Sequence, residues 1–328
     1  MNKKLLFGLL IGFFTIPGSL QAESTIQVGI GPGYSYNTIQ DGINAAQNGD
    51  VVWVHPGTYT GPGNRDITFL GKSITVDGKG AAIVDCQQQG RGFIFDSGEG
   101  LDSILSGLSI TNGYSTDGGG IYTSSSPTIK HCIFTGNTGT NYGGGIKIVN
   151  GDPEIINCLF TQNESNRGAG IFSHQSDVKI LNSTVSGNQA NVTGGGIYLY
   201  QDNPIVRDSI IWGNTNGEIE GSPPSVTYCD IKDGYPGIGN IDLDPLLTSG
   251  PLGDFYLSQI PAGQLFNSPC LDTGSDLASV FGLDIFTTRI DHIGDAGNVD
   301  MGFHYTPEPS TFVILSLGTI GIIRRRRH

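Results

Sequence analysis

The chain has 328 residues, 51 of them glycine, with only 14% charged residues and a formal net charge of −13. Six of its 17 basic residues lie at the two ends (Lys3, Lys4, Arg324, Arg325, Arg326 and Arg327), so segment 23–306 sets 11 basic residues against 29 acidic ones. A body with that excess repels nucleic acid, which is excluded as a partner, and repels anionic polysaccharide unless metal ions intervene. Glycine this frequent, without a three-residue period, means many turns rather than a collagen-like rod.

Taken in chain order, residues 1–22 ("MNKKLLFGLLIGFFTIPGSLQA") join a basic start, an apolar run and a small residue at Ala22. That is the pattern of a signal peptide read by Sec-type export machinery. Residues 23–60 form a distinct start: "SYNTIQDGINAAQNG" has an amphipathic helical pattern and is followed by a buried strand, "DVVWVHPG". A helix there would cover the open edge of a strand stack, so an N-terminal capping helix is expected.

Residues 61–235 repeat. Glycine triplets start at Gly118, Gly143 and Gly194, with a degenerate Gly168-Ala169-Gly170, at intervals of 25, 25 and 26, each followed by isoleucine (Ile121, Ile146, Ile171, Ile197). A second ladder ("SITN", "FTGN", "FTQN", "VSGN", "IWGN") places Asn112, Asn137, Asn163, Asn188 and Asn214 at the same beat. Two motifs drifting together at one period identify a repeat protein. No helical periodicity occurs, and the β-rich runs are too short to bury a face alone. Stacked in register they make a continuous core, so the expected fold is all-β, a right-handed single-stranded parallel β-helix. Alternation points the four isoleucines inward, together with Phe134, Phe160, Val185 and Ile211. The asparagines belong at corners, in the left-handed conformation, with amides bonded along the axis. A phosphate-binding role for the glycines is set aside, because no helix follows them.

On the strand after each triplet the outward positions stack as Tyr122, Lys147, Phe172, Tyr198, then Ser124, Val149, His174, Tyr200. Rings in register can stack on sugars, and aromatic residues also simply suit strands. The candidate ligand-binding residues are Tyr122, Lys147, Phe172, His174, Tyr198 and Tyr200.

After Trp212 the beat fails, and residues 236–306 form a closing region rich in aspartate. Its oxygen donors suit calcium, the one cofactor considered, with Asp242, Asp244, Asp272 and Asp300 as candidate ligands; Asp276 and Asp295 belong to the same acidic set. Five cysteines show no C-x-x-C spacing. Cys132 and Cys158, 26 residues apart, are expected as stacked buried thiols continued by Ser183 and Ser209, whereas Cys229 and Cys270 are the candidate disulfide. Residues 307–328 combine Pro307, Glu308 and Pro309, an apolar run of 13 residues from Thr311 to Ile323, and the four arginines. The run is short for a permanent membrane span, and the arginines hold its end on the cytoplasmic side.

That tail resembles a PEP-CTERM sorting signal. The resemblance implies export, a transient membrane tether through a short transmembrane helix, processing by an exosortase-type enzyme, and final residence at the cell surface or outside it. Residues 35–235 resemble pectin-lyase-like right-handed β-helix proteins, and 236–306 resemble a choice-of-anchor Q segment. Polygalacturonase-like enzymes of that fold carry Asn-Thr-Asp, Asp-Asp, His-Gly and Arg-Ile-Lys motifs, none of which occurs in this chain. The reading favours a surface or matrix protein for display or polysaccharide binding, with no catalytic residue assigned. A polysaccharide lyase or glycoside hydrolase of unfamiliar motif and a protein-binding adhesin stay open.

Overall fold

The computed structural model describes residues 24–306; the expected signal peptide, the sorting motif and the expected short transmembrane helix of the tail lie outside them. Among the described residues no helix is long and apolar enough to cross a membrane.

Each 25-residue beat becomes one coil of four short strands. Thr128–Lys130, Ile133–Thr135, Thr138–Tyr142 and Ile146–Val149 make one coil, and Glu154–Ile156, Leu159–Thr161, Glu164–Arg167 and Ile171–His174 make the next. Successive coils pair in parallel and in register: Ile129 with Ile155, Phe134 with Phe160, Ile146 with Ile171. The stack forms a long sheet of 15 strands that supplies two sides of the coil, a second of seven and a third of four.

Register pairing puts like residues above like. The isoleucines after the glycine triplets and Phe134, Phe160, Val185 and Ile211 are all fully buried in one core, as their alternation requires. The Phe134 and Phe160 rings stack at 4.7 Å, nearly parallel. Each such side chain removed from water stabilises the stack by roughly 1.5–3 kcal/mol. The first glycine of each triplet adopts positive φ (Gly118, Gly143, Gly168 and Gly194, 61–65°). The third meets the next coil: a Cβ on Gly145 would lie 2.5 Å from the Gly170 carbonyl oxygen.

The asparagine ladder forms, with two corrections. Asn137 Nδ2 donates to Asn163 Oδ1 (3.1 Å), Asn163 to Asn188 (2.9 Å) and Asn188 to Asn214 (2.9 Å), the first three fully buried and Asn214 half-buried. The left-handed residue, however, is the one before each of them: Gly136, Gln162, Gly187 and Gly213. Asn112 is not the first rung, because pairing of Thr111 with Thr135 sets it opposite Gly136. The rung is Gly113, whose N–H donates to Asn137 Oδ1 at 2.8 Å.

A second column of left-handed residues breaks the long sheet between its two strands per coil. It runs Lys79, Gly107, His131, Asn157, Asn182, Asp208, Tyr228, with φ between 47° and 63°. Asn, Asp and His tolerate this conformation better than most side chains. The bend it makes is a trough along the outside of the solenoid.

The one α-helix among the described residues, Ile39–Ala45, starts at Thr38, whose hydroxyl accepts from the Asp41 N–H, and it buries Ile39 and Ile43. Its Gly42 packs so closely on Val28 that a Cβ there would lie 2.4 Å from the valine. The closing region folds back outside the coils. A hairpin (Leu247–Gly250 with Gly253–Leu257) places Tyr256 with Tyr305 and Phe303 over Leu159 and Ile133, and Leu257 with Met301 over Ile210.

Candidate functional site

The outward ladder predicted on the seven-stranded sheet is present. Tyr122, Lys147, Phe172 and Tyr198 align in register, and His174 aligns with Tyr200. Only part of it meets solvent. Phe172 is 6% exposed, because Tyr142 from the four-stranded sheet leans over it with ring centroids 4.5 Å apart. Lys147 lies 5.0 Å over the Tyr142 ring and 5.9 Å over Phe172, and pairs with Asp117 at 2.9 Å. Arg167 sits 6.0 Å from the Tyr142 centroid, and Arg91 5.7 Å from that of Tyr122.

The open part is a depression of about 240 Å³ lined by Tyr142, Arg167, Phe172, Tyr198 and Tyr200. Tyr198 stacks on Phe172 (5.7 Å, nearly parallel), and Tyr200 leans on His174 at 5.1 Å. Asp202 closes the end by accepting from the Ser176 and Tyr200 N–H groups, and burial raises its pKa. The site therefore offers flat ring faces, phenol hydroxyls and a guanidinium. Two carboxylates beside the site are committed, Asp117 to Lys147 and Asp202 to backbone amides, while Glu220 continues the outward column as the register neighbour of Tyr198.

Tyr142, Arg167, Asp117 and Arg91 were not among the residues expected from the sequence. The first three stand immediately before a glycine triplet, at intervals of 25, so the same periodicity carries them. What it does not carry is the leaning of one sheet's column over the next. A second depression, about 370 Å³, lies on the four-stranded sheet among Gln88, Tyr114, Thr138, Thr140, Glu164 and Asn191.

The acidic set divides. Asp272 and Asp300 converge with Asp295, their oxygens all within 4.8 Å of one another. Burial and the Asp295 charge push the Asp300 carboxyl up to about 6 and raise Asp272 as well. Asp295 also accepts from His304 Nε2 at 2.9 Å. Three such carboxylates could supply part of the six to eight oxygens calcium takes. Asp242 and Asp244 lie outside this group: Asp242 accepts from the Asp233 N–H nine residues back, and Asp244 from the Leu246 N–H, as a turn-forming aspartate does.

The candidate disulfide is absent: all five cysteines are free and buried. Cys229 and Asp230 are consecutive on an extended chain and face opposite sides. Cys229 points into the coil core, while Cys270 lies outside the coil, its thiol 3.2 Å from Asp230 Oδ2. A strand stands between the two sulfurs. The other column is as expected: Cys158 N–H donates to Ser183 Oγ and Ser183 N–H to Ser209 Oγ, each at 3.1 Å, with Cys132 stacked beside Cys158.

Coils in register, inward isoleucine and asparagine ladders and three parallel sheets define a right-handed parallel β-helix protein. Residues 64–220 match the family model of the right handed beta helix region, and residues 306–327 match the PEP-CTERM protein-sorting motif, which marks an exported, surface-directed chain. No curated protein matches the chain. Among solved structures, pectate lyase Pel9A aligns over 86% of this chain and 97% of its own, at 15% identity and a TM-score of 0.35.

Proposed function

We propose that this protein is an exosortase-processed surface or matrix β-helix whose aromatic depression binds polysaccharide. The observation that supports the reading is the set of Tyr142, Phe172, Tyr198 and Tyr200 rings beside Arg167, open on one side and held by packing from two sheets. Pre-positioned rings stack on sugar faces with little ordering cost. Arg167 forms no ion pair with any described carboxylate, so its charge is available to the ligand. Export through Sec and removal of the hydrophobic tail, leaving a C-terminus between Pro307 and Ser310, complete the reading.

Affinity electrophoresis through gels of neutral and acidic polysaccharides tests it. Retardation of the wild type should fall about tenfold in a Tyr142→Ala/Tyr198→Ala double variant, as expected for losing two stacked rings. Neither reducing ends nor unsaturated products should accumulate, with or without calcium. Equal migration of wild type and variant in every gel, or a cleavage product, would overturn it.

A further inference from the structure

The last described residues run along the solenoid axis, across the strands, in the trough of left-handed residues. The Gly302 N–H donates to the Asp208 carbonyl oxygen at 2.9 Å. The Phe303 N–H donates to Thr184 Oγ1 at 3.0 Å, one coil further back, and the His304 N–H to Asn157 Oδ1, one coil back again. Tyr305 packs over Ile133, and Thr306 reaches Gly80, where a Cβ would come within 2.6 Å of Thr306 Oγ1. The fit is selective at both ends, since Gly302 too would collide through a Cβ with Thr184 Oγ1 at 2.7 Å.

The strap thus begins at the last coils and ends beside strand Thr75–Asp85, near the N-terminal end. Six strand spacings separate that strand from Asp230–Ile231, the end of the same sheet, about 29 Å at 4.8 Å per step. Pro307, the first residue of the Pro-Glu-Pro segment, is bonded directly to Thr306. We infer that the strap delivers the sorting segment to its membrane-embedded processing enzyme beside the second coil, so that the surface around Lys79 and Gly80 meets that enzyme while the distal coils project away. The inference rests on the proposed processing of 307–328 and adds where on the body it happens. Four residues span at most about 14 Å of chain, so an enzyme acting between Pro307 and Ser310 works against the folded body at this point.

Site-specific photo-crosslinking in the producing cell tests it, with a photoreactive residue replacing the exposed Lys79 or, at the far end, the exposed Asp233 of the full chain. Adducts with a membrane protein are expected from position 79 and not from 233. A ten-residue Gly/Ser insertion between Thr306 and Pro307, with an average reach of about 17 Å, should weaken that preference. Adducts from 233, or equal adducts from both, would overturn the strap geometry, as would trimming with no adduct from either. An untrimmed C-terminus through His328 in the wild type would overturn the processing reading itself, a result mass spectrometry separates from the others. Slow hydrogen exchange at Phe303 and His304 in the purified body checks the docked strap independently.

Discussion

Asn157 and His304, 147 residues apart, hold each other twice: the His304 N–H donates to Asn157 Oδ1 at 2.6 Å, and Asn157 Nδ2 donates to the His304 carbonyl oxygen at 2.9 Å. One amide thereby satisfies both backbone groups of a strap residue that is fully buried. The same Asn157 occupies a left-handed corner (φ 49°), so its backbone and side chain serve different structures, the coil and the strap. Next to it, Asn182 is equally buried under the strap, yet its amide finds no partner among the described residues.

Asn157→Gly keeps the corner conformation and removes the amide. Two buried backbone groups of His304 then lose their partners, at about 1–3 kcal/mol each. Urea unfolding should show a loss of about 3 kcal/mol, and hydrogen exchange should speed up at His304 more than at Ile146. Unchanged stability would mean that the strap does not depend on this pair.

Asn163 is the middle of the interior ladder, donating to Asn188 Oδ1 and the Phe134 carbonyl while accepting from Asn137. Asn163→Ala should cost about 3 kcal/mol or more, for several groups left unpaired. Asn163→Asp should be worse at pH 7, because a carboxylate cannot donate and its charge is buried. The aspartate variant should recover towards the alanine one as acid protonates it. Melting curves from pH 4 to 8 decide the order.

Asp230 is fully buried, and burial pushes its carboxyl up to about 6. The sign follows: between the unfolded pKa near 3.9 and 6 the folded state holds the extra proton, so Asp230 costs no stability below pH 4 and an increasing amount as pH rises to 6. A shift of two units corresponds to about 3 kcal/mol. Asp230→Asn removes this dependence, and the variant should gain on the wild type between pH 4 and 6 and keep the difference at pH 8. Paired urea midpoints across that range isolate the effect; a constant difference at all pH values would refute it.

Removing residues 143–167 deletes one coil and rejoins Tyr142 to Gly168, the residue that follows Arg167, Tyr142's register partner. A folded, shorter stack is expected. It loses Asn157, so the strap falls one rung out of step and residues 302–306 should become sensitive to protease. Removing 12 residues from the same place takes out about half a coil, which sets strands against corners, breaks the stacked ladders and should abolish folding. Circular dichroism and limited proteolysis of both deletions provide the check.

The period of 25 determined the coil, its parallel register and the inward residues Ile121 through Ile197, because stacking only translates identical units and identity in sequence becomes contact in space. It also placed Tyr122, Lys147, Phe172 and Tyr198 in one column. Where the beat stops, that logic stops. Nothing in the order of residues says that Tyr142 covers Phe172, since two sheets must first meet at an angle. The placement of the consecutive Cys229 and Asp230 on opposite faces, which keeps Cys270 from the former, depends on which side the closing region packs. The convergence of Asp272, Asp295 and Asp300, and the run of residues 302–306 back along the trough, likewise join parts of the chain that share no repeat. Those contacts come from non-periodic packing against the finished solenoid, and only the tertiary structure decides them.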